Sequence, residues 1–158
     1  MLADTRQKNS IRPMGWFWKS LKGIADPLSS AESIIERQEA GYRDLVRKNP
    51  DTEPHQILAM LYLSRMLTHG KNPQSEEMQA ESVSNTRKFS CLPFPNNVRA
   101  FGLALVQMER PDVLQQHPEL ELEYLNLMEP VNEAIVNDHF DELYRRCNPK
   151  MAAAGRMG

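Results

Sequence analysis

"PHQILAMLYLSRMLTHG", residues 54–70, decides how the rest of the chain is read. Proline opens it, glycine closes it, and between them lie Ile57, Leu58, Met60, Leu61, Tyr62, Leu63, Met66 and Leu67. Proline suits the first turn of a helix, where its missing amide costs nothing, and glycine suits the left-handed residue that ends one. The stretch is too long for a strand, and its apolar residues fall on nearly every side of a helix. Such a helix is buried on most of its surface. The sequence therefore predicts a central helix over about 53–69, capped by Asp51 or Thr52 and packed on all sides by others.

The same punctuation runs outward in both directions. Strand signals are nearly absent: no Asn-Gly or Asp-Gly hairpin occurs, and no period-two alternation is sustained. Upstream, a helix over about 30–48 carries Ala31, Ile34, Ile35, Gln38, Tyr42, Leu45 and Val46 on one face, with Ser29 and Glu32 spaced as a capping box. Glu39/Arg43 and Asp44/Lys48 form i,i+4 pairs on its wet side, and Asn49-Pro50 ends it. Downstream, Asn72-Pro73 opens a short polar helix over 73–83. "SNTRKFSCLPFPN", residues 84–96, reads as an extended connector because Pro93 and Pro95 lie two apart, with Arg87 and Lys88 open to trypsin.

A helix over 97–108 follows, with Val98, Phe101, Ala104, Leu105 and Met108 on one face, then short helices at 111–116 and 118–128. A last helix over 130–147 carries Val136, Phe140, Leu143, Tyr144 and Cys147; Pro130 alternatively kinks one helix spanning 118–147. The expected fold is all-α, a single compact domain of about five to seven helices with a proline-rich irregular connector. Its parts are a basic flexible leader (1–13), a helical domain (14–148) and a disordered tail (149–158). "AGYRDLVRKNPD" (40–51) and "AFGLALVQMERPD" (100–112) echo each other, but two partial copies fall short of the three that a stacked repeat needs.

Composition narrows the function. With 41% hydrophobic and 25% charged residues, the chain is a globular one, and its 158 residues suffice for one core. The longest apolar run, Ile57–Leu63, is too short to span a bilayer. Cys91 and Cys147 form no disulfide framework or metal pattern and read as reduced thiols, which places the protein in the cytoplasm or at the periphery of a membrane. Charge is unevenly spread: residues 1–23 carry a net of +4, whereas Glu109–Glu142 holds ten acids against Arg110 alone. Phosphate backbones are bound by clustered Lys and Arg, so the acidic body excludes direct nucleic-acid binding.

No catalytic, cofactor-binding or metal-ligating set emerges. HExxH, Glu-x-x-His pairs on facing helices, phosphate loops and nucleophile elbows are all missing. His139 beside Asp138 and Glu142 lacks a matching second helix, and His55, His69 and His117 sit at helix ends. Cys91 lies near Arg87 and Lys88, which lower a thiol's pKa only if it is exposed.

Two features point to docking. "MGWFWKSLKGIA", residues 14–25, gathers Trp16, Phe17, Trp18, Lys19, Leu21 and Lys22 into an amphipathic aromatic-basic helix at the domain's edge. It suits the core, a protein partner, a lipid interface or an organelle presequence. Protein is favoured over lipid because anionic headgroups repel the acidic body. The second feature is the acidic stretch, with Glu119, Glu121, Glu123, Glu133, Asp138, Asp141 and Glu142 as a surface for a basic partner or for the chain's own leader. The expected function is a non-enzymatic helical interaction module: an adaptor, chaperone or assembly subunit. A membrane-docked protein is the alternative, and an enzyme of unrecognised type the third reading.

Overall fold

A computed structural model describes residues 27–150 of the chain. It contains α1 (Pro27–Lys48), α2 (Pro54–Thr68), α3 (Glu76–Thr86), a 3₁₀ turn (Phe89–Cys91), α4 (Asn96–Glu109), α5 (Pro111–Gln116), α6 (Pro118–Val136) and α7 (Phe140–Cys147). There is no strand among the described residues, and the fold is the single all-α arrangement read from the sequence. The leader 1–13, the segment 14–25 and residues 151–158 lie outside the described residues.

Prolines begin four helices, at Pro27, Pro54, Pro111 and Pro118, where a fixed φ suits the first turn. The caps differ from those expected. In α2 the box is made by Glu53 and Gln56, with Glu53 N donating to Gln56 Oε1 at 3.1 Å. In α1 the helix already starts at Pro27, so Ser29 lies inside its first turn rather than at a cap. Ser75, not Asn72, caps α3, its Oγ accepting from Met78 N at 3.1 Å.

Helix α4, not α2, is the centre. It packs against α1, α5, α6 and the 3₁₀ turn, and Val98, Ala100, Phe101, Leu103, Leu105 and Val106 on it are buried. In α2 Ile57, Leu58, Leu61, Tyr62 and Met66 are buried, but Met60 and Leu67 face solvent. Apolar density misleads here, because close approach depends on small residues as well as large ones. A Cβ on Gly102 would stand 3.1 Å from the Ile35 Cα, so glycine is what lets α1 and α4 touch backbone to backbone. These two helices run in opposite directions. Gly102 meets Ile35, while Asn97 Nδ2 donates to the Tyr42 hydroxyl at 3.0 Å. Of the α1 stripe, Val46 is exposed, and of the α4 stripe, Met108 is.

The connector is shorter and better packed than its prolines suggest. α3 continues to Thr86, and Phe89, Ser90, Cys91 and Leu92 are buried. Phe89 meets Phe101 and Tyr124 edge-on, at centroid distances of 6.0 and 6.4 Å. Arg87, read as an open loop residue, lies 5.0 Å from the Phe140 ring and 4.8 Å from the Tyr144 ring, and holds α7 in place. Outside the 3₁₀ turn the stretch is irregular only at 87–88 and 92–95, and no helix runs through Pro93 and Pro95, as the sequence requires.

The break near the C-terminus is not at Pro130, which sits inside α6. It falls at Asn137–His139. His139 N donates to Ala134 O at 2.7 Å and Asp138 N to Ile135 O at 3.2 Å, with Asp138 at φ +62°. This is a Schellman ending with aspartate in the left-handed position. Gly70 (φ +80°) does the same for α2, with Lys71 N donating to Met66 O at 3.0 Å. Because the helix ends there, Val136 is exposed and does not share a stripe with Phe140 and Tyr144.

Asn148 closes the fold. Its Oδ1 accepts from His55 N at 3.1 Å, while its Nδ2 donates to Ser90 Oγ and Tyr144 O, both at 3.0 Å. Lys150 N donates to Glu53, and Lys150 Nζ reaches Asp51 O at 2.5 Å, so order extends past the expected boundary at 148.

A second long-range tie joins α2 to the end of α4. Arg65 grips Glu109 through two hydrogen bonds, Nε–Oε2 at 2.6 Å being one, and His69 Nε2 lies 3.1 Å from the same carboxylate. Burial pushes the Glu109 carboxyl up, but the hydrogen bonds from Arg65 and His69 outweigh it and hold its pKa below the ordinary value. A carboxyl depressed in the folded state stabilises above its unfolded pKa, about 4.3, and that contribution is lost as pH falls through the folded value. Melting temperature should therefore drop as pH falls below about 4.3, and Glu109→Gln should flatten that acid limb while lowering stability at neutral pH. Parallel pH profiles for the two proteins would assign the acid sensitivity to other groups.

Candidate docking face on helix α6

The first turn of α6 carries Glu119 and Glu121, placed well against the positive end of the helix dipole. Leu120, Met128 and Val131 are buried, with Tyr124 and Leu127 partly so. The opposite side is the unusual one. Leu122 is 59% exposed, Leu125 52% and Val136 82%. Spacing of three and four residues puts Leu122, Leu125, Glu129, Glu133 and Val136 in one row along the helix.

Beside this row lies an open groove of about 600 Å³ between α6 and residues 92–96, with Leu92, Pro93, Leu122, Leu127 and Pro130 as its apolar wall. Its polar lining is Glu119, Glu123, Asn96 and Asn126. Pro130 brings no amide to its helical partner i−4, so the Asn126 carbonyl receives no bond from it. On the other flank of α6 a second cavity, about 340 Å³, is lined by Leu103, Leu114, Leu120 and Leu125 and rimmed by Lys88 and Glu121.

The seven acids read as one surface are not equivalent. Glu123 is gripped by Arg99, with Nε–Oε2 at 2.7 Å and Nη2–Oε1 at 2.9 Å, and Arg99 Nη1 also reaches Glu32 Oε1 at 3.3 Å. Chiefly through the Glu123 hydrogen bond, this raises the Arg99 pKa and locks its charge on. Glu119 pairs with His117 Nδ1 at 3.3 Å and Asp141 with Arg87 at 3.4 Å. Glu121, Glu133, Asp138 and Glu142 are exposed and make no ion pair among the described residues, as is true of Glu129. Glu119, Glu121, Glu123 and Glu133 share α6, whereas Asp138 lies in the turn and Asp141 and Glu142 on α7.

Comparison with known protein families, curated proteins and solved structures gives no match.

Among the described residues the two thiols and His55 make packing and clasp contacts. Cys91 is buried, and burial pushes its thiol up to about 12, so Arg87 and Lys88 do not activate it. Cys147 Sγ lies 3.4 Å from Cys91 O, and both cysteines are free thiols. His55 Nδ1 stands 3.0 Å from Asn148 Oδ1 inside the clasp. No cluster of three or more metal-ligating side chains occurs among the described residues, His139 and its acidic neighbours included. No helix among them is long and apolar enough to cross a membrane. Trp16, Phe17, Trp18, Lys19, Leu21 and Lys22, expected from the sequence to dock, lie outside the described residues.

Sequence reasoning missed Leu122, Leu125 and Val136 as exposed groups. The signal was present: Pro118–Val136 carries apolar residues on every side, more than one buried face can absorb.

Proposed function

We propose that the chain is a non-enzymatic protein-interaction module that holds a basic, amphipathic helix of another protein against α6. The observation that carries this is the exposed row Leu122, Leu125 and Val136, set among Glu121, Glu129 and Glu133, which make no ion pair within the described residues. Apolar anchors supply affinity once water is excluded, and the surrounding field speeds encounter and selects a partner of opposite charge. Helix-in-groove recognition needs this combination of an elongated apolar trough and a charged rim. An adaptor or assembly subunit uses such a surface without chemistry, and a cytoplasmic setting suits its two free thiols.

The test is a titration of a fluorescent, Leu/Lys-patterned helical peptide with the intact protein and with Leu122→Asp/Leu125→Asp. Saturable binding to the intact protein, weakened by salt and lost in the variant at an unchanged melting temperature, is the expected result. Binding that ignores both salt and the variant removes α6 as the docking face.

A further inference from the structure

We propose that residues 14–25 of the same chain occupy the groove beside α6, as an intramolecular ligand that a partner helix must displace. This deepens the docking reading above and rests on it. The groove offers what an aromatic-basic helix lacks. Leu92, Leu127 and Pro130 form an apolar wall and Glu119 an acidic rim, with the Arg99-bound Glu123 beside it. At the Asn126 carbonyl, Pro130 supplies no helical amide to compete for the oxygen. Trp16 and Trp18 each carry one indole N–H, a donor only, and Phe17 and Leu21 bring apolar surface. Lys19 and Lys22 bring the opposite charge, within a leader of net +4 against the −9 of residues 109–142.

Connectivity puts the segment within reach. Glu32 of α1 and Glu123 at the groove share the Arg99 guanidinium. α1 begins at Pro27, five residues before Glu32, or about 7.5 Å along the helix. Asp26 alone separates residue 25 from Pro27. A residue before proline is pushed out of the helical region, so the chain is free to change direction before α1. Twelve helical residues span about 18 Å, the same length as residues 119–130 of α6 that line the groove. A tether this short raises the effective concentration of the segment far above that of a free partner, so weak contacts suffice to hold it.

The only two tryptophans of the chain both lie in this segment, so intrinsic fluorescence of the full chain reports on it alone. The intact protein should show blue-shifted emission protected from acrylamide. Leu122→Asp with Asn126→Lys, two exposed groove positions, should shift emission to the red and abolish protection without changing the thermal melt. Phe17→Asp with Leu21→Asp, which keeps both indoles, should do the same from the other side. Water-like emission in the intact chain overturns the proposal, as does protection that survives the groove variant. Protection that grows with protein concentration assigns the groove to a second copy, and protection that appears only with anionic vesicles assigns the segment to lipid. Both overturn self-docking. Titrating the helical peptide into the Phe17→Asp/Leu21→Asp protein separates the two claims. If that peptide fails to bind while the indoles of the intact chain are protected by the groove, the partner function falls and self-docking stands. If the peptide binds in a Leu122-dependent way while the indoles of the intact chain are exposed, the reverse holds.

Discussion

Replacing Phe101 with alanine should destabilise the domain by about 3–5 kcal/mol, the range for a fully buried aromatic. Phe101 is 1% exposed at the middle of α4, the helix that α1, α5, α6 and the 3₁₀ turn all touch. Its ring meets Phe89 edge-on at 6.0 Å, an arrangement that adds to simple burial. Truncation leaves a cavity that cannot collapse from the α1 side, because Gly102 already holds α1 and α4 at backbone contact. The check is chemical denaturation of both proteins. A loss below about 1 kcal/mol would mean that α4 is not the centre of the core.

Leu61→Ala should cost about 2–5 kcal/mol, whereas Leu67→Ala on the same helix should stay within about 0.5 kcal/mol. Leu61 is buried and Leu67 exposed, although both belong to one continuous apolar pattern. The site has an internal control. A Cβ on Gly41 would come within 2.9 Å of Leu61 Cδ2, so this methyl occupies the space that a larger residue at 41 would need. Gly41→Ala should therefore recover part of the stability lost in Leu61→Ala, through partial refilling and better helix propensity. Equal losses at 61 and 67, measured by the same denaturation, would show that α2 is buried all round after all.

That contrast marks how far the sequence can be read. Helices, their proline starts and the burial of Leu58 and Leu61 follow from local rules, because each depends on neighbours within a turn or two. The centrality of α4 depends on which helices come near Gly102, and a single window contains no trace of that. The end of α6 was misplaced because aspartate, rather than glycine, takes the left-handed position at 138, while Pro130 is accommodated inside the helix. Phe89, Cys91 and Leu92 look like a loop between polar and proline-rich flanks, and only the arrival of α4 and α7 makes them core. The acidic surface was legible as composition. Its division into neutralised Glu123 and Glu121, Glu129 and Glu133, which have no ion pair among the described residues, was not, since Arg99 lies 24 residues from Glu123 and 67 from Glu32.

The Asn148 clasp carries a consequence for how the protein is made. During synthesis the chain appears in order, and His55 waits 93 residues for the side chain that receives its amide. At the elongation rates of living cells this is roughly 5–20 s, far longer than helix formation takes. Throughout that interval the His55 amide, and the Ser90 oxygen as an acceptor, must rely on water. A nascent chain that has already emitted α1 to α4 therefore still has an unlatched edge, which stays open until Asn148 arrives to shut it.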